Sequence, residues 1–241
     1  MGTFGWSCGL KCRLEAYANS IRSIYGIDLV SIILYGSAAS EEAAGKNSNI
    51  NILVVLRDTG LKSLEKSVPL VKPFKYRFFK PVFFTEDYMK RTLDVFPIEF
   101  LDIKENYKLL YGKDVVAGLT VDPKNLRFQC EQELKAKLIN IKKTYPGLSR
   151  SSDLKELLLK SFTATLHITR NILRLKNLNA PYKKEDVLDI AGKALGLDAK
   201  LFNRILALKA GTIRVKSSEL RDMLVRFTDE LERLAEVADG L

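Results

Sequence analysis

Cysteine and histidine are scarce, with three and one in 241 residues. Three thiols cannot build a disulfide framework, and one histidine beside Cys8, Cys12 and Cys130 leaves no ligand set for structural zinc. No apolar run approaches the ~18 residues that span a bilayer. The N-terminus, MGTFGWSCGLKCR, lacks the charged start and long apolar stretch of a signal peptide. Trp6 stands where the myristoylation pattern wants Ser or Thr. Internal repeats and low-complexity linkers are also missing. These absences exclude secreted, zinc-finger and membrane-spanning classes and point to a cytoplasmic globular protein.

What is present in excess is positive charge, a formal +10. Residues 1–120 carry 16 basic and 13 acidic side chains, and residues 121–241 carry 23 and 16. The C-terminal surplus is interleaved with acids, as on solvated helix faces. Nucleic-acid binding is therefore not favoured over a basic cleft for a small phosphate-bearing ligand. The stretch KPFKYRFFKP (72–81) alternates cations with aromatics, as some single-strand binders do. A helix end beside a strand gives the same letters.

The two halves have different periods. From Leu10 to Ile24 the spacing predicts a helix ended by Gly26. LVSIILYG (29–36) and NINILVVL (49–56) read as strands, 60–78 as a helix disturbed by Pro69 and Pro73, PVFFT (81–85) as a strand, and EDYMKRTL (86–93) as a helix capped by Thr85. PIEFLDI (97–103) reads as a further strand. After Val121 the β pattern stops. Helices are expected around 126–145, from 151 to 173, around 185–195 and 199–210, each of the last two followed by glycine, and from Ser218 onward. The expected fold is an α/β (α+β) domain over 1–120, built on one mixed sheet, followed by an all-α helical bundle over 121–241. His167, Arg170 and Arg174 fall on one predicted helix, where a satisfied histidine and a solvated basic face are the simpler uses.

The chemistry concentrates at the ends of the predicted strands. Gly36-Ser37 follows the first strand and precedes Ser40-Glu41-Glu42, a helix-start pattern, so backbone N–H groups there could hold a phosphate. Asn49 and Asn51 are two apart and so share one side of the next strand. Glu99 and Asp102 are acids inside an apolar run, costly unless solvated, paired or metal-bound.

This pattern, LYGS…SNINILVVL…IEFLD, resembles the nucleotidyltransferase superfamily of antibiotic and minimal nucleotidyltransferases. Its signature is an apolar strand, G-S, a short helix, D-x-D on the next strand and a third acid on a later strand. The stretch 81–115 also resembles an uncharacterised bacterial subgroup with a helical C-terminal domain. The resemblance implies transfer of a nucleoside monophosphate from an NTP to an acceptor that the residues do not identify. It implies phosphate at Gly36 and Ser37, Mg²⁺ at Asn49, Asn51 and Glu99, and Glu99 as the catalytic carboxylate.

The chain departs from the signature where it matters most. Asn49 and Asn51 stand where the family has aspartates. Mg²⁺ is a hard ion that prefers anionic oxygen, and two neutral amides remove two negative charges from a site built to gather divalent cations. Impaired transfer is expected, with a non-catalytic nucleotide-binding or protein-interaction module of the same fold as the alternative. A homo-oligomer stays open.

Overall fold

A computed structural model describes residues 8–39, 50–71, 78–181 and 183–241. The chain divides into two compact units, Met1–Val121 and Asp122–Leu241.

In the first unit, helix α1 (Cys8–Tyr25) places Leu14, Tyr17, Ala18, Ile21 and Tyr25 on one buried face. Gly26 follows at φ +50°, a left-handed conformation that glycine adopts without strain. Strand β1 (Leu29–Tyr35) leads through a 3₁₀ turn at Gly36–Ala38 toward β2 (Ile50–Leu56). Two short helices follow, α2 (Leu61–Glu65) and α3 (Val68–Val71), in place of the single predicted helix over 60–78. Then come β3 (Phe79–Phe84), α4 (Glu86–Arg91), α5 (Pro97–Glu105) and β4 (Tyr107–Gly112). Thr85 caps α4 as expected, its Oγ1 accepting the Tyr88 N–H at 3.0 Å.

The sheet order is β3-β2-β1-β4. β1 is antiparallel to both β2 and β4, and β2 is parallel to β3, so the sheet is mixed. Period-2 alternation sends Ile50, Ile52, Val54 and Leu56 to the α1 side. Leu53 and Val55 face the other side, with Met89 of α4 and Phe100 and Ile103 of α5. Tyr17 of α1 stacks on Phe79 with ring centroids 4.5 Å apart.

The structure corrects one predicted strand: 97–103 is the body of α5. Alternation already fails there, because Asp102 occupies the phase of Ile98 and Phe100, while the buried residue is Ile103. Pro97 at the first helical turn and Glu99 near the helix N-terminus settle the conformation. The strand supplied instead is β4, whose YKLLYG sequence carries no clean alternation.

The second unit contains α6 (Pro123–Thr144), α7 (Ser151–Leu175), α8 (Lys184–Leu195), α9 (Ala199–Ala210) and α10 (Ser217–Asp239). Gly196 and Gly211 end α8 and α9 in left-handed conformation. Phe162, Phe202 and Phe227 meet at its centre without solvent exposure. Arg170 does not lie on a solvated face: it is buried, and its Nε donates to the Ala180 carbonyl at 3.0 Å. Arg174 is half-buried and donates to Asn171 Oδ1. His167 is exposed. Burial, then the nearby Glu133 carboxylate, push the Cys130 thiol up to about 12, so it stays a neutral core residue.

Asp198 gives the bundle a pH dependence. It caps α9 by accepting the Leu201 N–H at 3.0 Å, and its other oxygen accepts from Arg226 at 2.5 Å. The Leu201 N–H and the Arg226 guanidinium hold its carboxyl below the usual range, although burial works the other way. A depressed folded-state value means the contribution is present above the unfolded carboxylate range, near pH ~4, and is lost as pH falls below it. Asp198→Ala is expected to cost about 1 kcal/mol at pH 7 in urea unfolding. The difference from the unaltered chain should shrink as pH falls below the unfolded carboxylate range; a difference that stays constant through acidification would contradict the capping role.

Candidate functional site

One end of the sheet collects the polar residues. The C-terminal end of β1 and the N-terminal ends of β2, β3 and β4 lie together there. The registers align Lys80 with Asn51, Asn51 with Tyr35, and Tyr35 with Tyr107. The row Lys80–Asn51–Tyr35–Tyr107 thus crosses all four strands. Asn51 has the phase of Leu53 and Val55, and Lys80 that of Phe84, so the row faces the α4 and α5 side.

Gly36 closes the row from above. Its φ of +73° suits glycine, its N–H donates to the Asn106 carbonyl at 2.9 Å, and its carbonyl accepts from the Ala39 N–H at 2.9 Å. A Cβ added at Gly36 would sit 3.2 Å from the Asn51 amide nitrogen, so the turn lies directly on that side chain. The Tyr107 hydroxyl donates to Asp114 Oδ2 at 2.8 Å, and the Val116 and Ala117 N–H groups donate to the other oxygen. Burial raises Asp114's carboxyl, yet the Tyr107 hydroxyl and those two N–H groups bring it net below the usual range. Burial, and for Tyr107 also the neighbouring Asp114, push both tyrosine hydroxyls up, so they remain neutral.

Of the residues singled out in the sequence, Gly36 and Asn51 come together. Ser37 follows in the same turn. Asn49 lies outside the described residues, as do the Ser40 helix start and, apart from Phe78, Phe79, Lys80 and Pro81, the basic-aromatic stretch. Glu99 is not on a strand beside Asn51. It is exposed in the first turn of α5, and the end of that helix nearest the Gly36 turn is Asn106, ~10 Å further along the axis.

Among the described residues the donor set does not fit a two-metal centre. Asn51 offers one neutral oxygen, and among the described residues no three His, Cys, Asp or Glu side chains gather where an ion could sit. Sequence reasoning missed Lys80 as a partner of Asn51, because cross-strand register is invisible in a single strand. The signal available was its place one residue before PVFFT, on what proves to be the neighbouring strand.

No protein-family model matches the chain, and no curated protein matches it in sequence. Among the described residues no helix is long and apolar enough to cross a membrane. Among solved structures, the chain is similar to the spectinomycin adenyltransferase AAD(9) from Enterococcus faecialis, crystallised with ATP and spectinomycin. The TM-score is 0.61 at 14% identity, over 93% of this chain and 98% of that one. At that identity the likeness speaks for architecture alone, and it agrees with the mixed sheet and the helical second unit. The chain has the nucleotidyltransferase fold followed by a helical region.

Proposed function

We propose that this chain binds a nucleotide at the end of the sheet and transfers nucleoside monophosphate weakly or not at all. The observation that carries this reading is the Gly36 turn resting on the amide of Asn51. In this assignment Gly36, whose own N–H is taken by the Asn106 carbonyl, lets a phosphate approach the turn closely and Ser37 holds it, while Asn51, with Asn49, occupies the family's metal-binding positions. Residues 1–120 act as the nucleotidyltransferase-like domain of a cytoplasmic protein, and 121–241 as its helical domain.

Transfer would require an acceptor hydroxyl to attack the α-phosphorus while pyrophosphate leaves. The charge that develops on those oxygens needs preorganised positive groups, which carboxylate-held Mg²⁺ supplies in such chemistry. Here Glu99, the residue proposed as third carboxylate, begins a helix ~10 Å along its axis from the turn. Neutral amides and a distant acid support a nucleotide-binding module more than an efficient transferase.

Calorimetric titration of the purified chain with ATP and GTP tests the binding, and incorporation of α-labelled ATP into hydroxyl acceptors, spectinomycin among them, tests the transfer. Saturable nucleotide binding is expected, with incorporation far below ordinary enzyme rates of ~1–10³ s⁻¹. Incorporation at such rates would overturn the impaired assignment. Absence of nucleotide binding would overturn the whole reading.

A further inference from the structure

We infer that Lys80 supplies the positive charge that offsets the phosphates at this site, so that nucleotide binds without a divalent cation. The inference rests on the nucleotide-binding reading above and adds the residue that makes it work.

The register of the parallel β2–β3 pair sets Lys80 opposite Asn51. Adjacent strands lie ~4.8 Å apart, a gap that a lysine side chain spans. Lys80 is exposed and lies four residues before Phe84, whose ring is 6.3 Å from Phe100 of α5. Lys80 therefore leaves the sheet on the same side and at the same end as Asn51.

The chemistry of the row is that of an anion site. A carboxylate at position 51 would attract a cation and repel a phosphate oxygen. The asparagine amide has two N–H donors that a phosphate oxygen accepts. Lys80 adds a full positive charge, and a charge-assisted hydrogen bond to phosphate is about twice as strong as a neutral one. Tyr35 and Tyr107 bring no negative charge, since burial keeps both hydroxyls neutral. Three acids on this side of the sheet have partners of their own. Glu86 pairs with Lys113 at 2.6 Å, Asp87 with Arg91 at 3.0 Å, and Asp114 accepts from Tyr107. Position 51 is thus neutral and position 80 positive, where a metal-gathering site carries negative charge.

A lysine on an edge strand also discourages pairing with another chain. That role needs no ligand and leaves nucleotide affinity independent of residue 80, which separates the two uses.

The test is calorimetric titration of the full chain with ATP, once in EDTA and once in Mg²⁺. The unaltered protein is expected to bind in EDTA with little change on adding Mg²⁺. Lys80→Ala should weaken binding in EDTA roughly tenfold or more, while Lys80→Arg, which keeps the charge, should retain most of it. Asn51→Asp should weaken binding in EDTA and make it respond to Mg²⁺. Unchanged circular dichroism and melting temperature check that each variant is folded. If ATP binds only with Mg²⁺ and Lys80→Ala has no effect, the inference fails while the nucleotide-binding reading stands. If ATP binds under neither condition, both fail together.

Discussion

Phe227→Ala is expected to destabilise the helical unit by about 3–5 kcal/mol. Phe162 of α7, Phe202 of α9 and Phe227 of α10 are all without solvent exposure, with ring centroids 5.8–6.3 Å apart and planes tilted by 51–57°. Tilted aromatic pairs at this separation gain from edge-to-face electrostatics beyond the area they bury. Removing one ring deletes two of the three contacts and leaves a cavity that three helices cannot all move to fill. In thermal unfolding the loss corresponds to a fall on the order of 10–20 °C for the transition of this unit. Phe227→Leu keeps most of the volume and should cost much less. A fall of only a few degrees for the alanine variant would show that the three rings do not form the centre of the bundle.

The same cluster shows what the sequence makes legible. Phe162 and Phe227 stand on helices whose apolar residues recur every three or four positions, so their burial follows from period alone. The glycines ending α8 and α9 are equally readable, since Gly196 and Gly211 adopt the left-handed conformation that favours glycine there. β1 and β2 are near-continuous apolar runs, and both lie where expected. The failures come where local pattern and tertiary context part. α5 has the composition of a strand for three residues and the phase of a helix thereafter, and its helical start depends on Pro97 and on packing of Phe100 and Ile103 against the sheet. β4 is an edge strand with mostly half-exposed residues, so neither face imposes a clear period on it. The Asn51–Gly36 contact could be foreseen from the family resemblance, but the partnership of Asn51 with Lys80 depends on which strands pair and in what register. A single sequence does not encode that information locally. The misread α5 also explains the misplacement of Glu99: an acid expected at a strand end near Asn51 belongs to the first turn of a helix.

Gly112→Ala should cost the first unit about 2–5 kcal/mol, combining a left-handed backbone penalty of ~1–2 kcal/mol with ~1–3 kcal/mol of overpacking strain. Gly112 ends β4 at φ +82°, and a Cβ added there would lie 2.1 Å from the Val30 carbonyl oxygen and 3.0 Å from its carbon. Both are backbone atoms of β1, so no side-chain rotation relieves the clash. Gly26 is the control: it also has positive φ, at +50°, but nothing lies within 4 Å of an added Cβ. Gly26→Ala should therefore show only the conformational part, ~1–2 kcal/mol. Hydrogen exchange would locate the damage, with faster exchange expected at β1 and β4 amides and little change in α6, α7 and α10. The Lys113 N–H that donates to Val30 O at 3.1 Å should be among the first to lose protection. The consequence reaches the other end of the strand. Asn106 immediately precedes β4, and its carbonyl accepts the Gly36 N–H that anchors the turn over Asn51. Loosening β4 frees that anchor, so Gly112→Ala should weaken nucleotide binding even where the unit remains folded, although residue 112 lies at the end of β4 remote from the turn. Equal losses in the Gly26 and Gly112 variants would mean that β1 moves to make room for the new methyl group, and that the turn does not depend on β4.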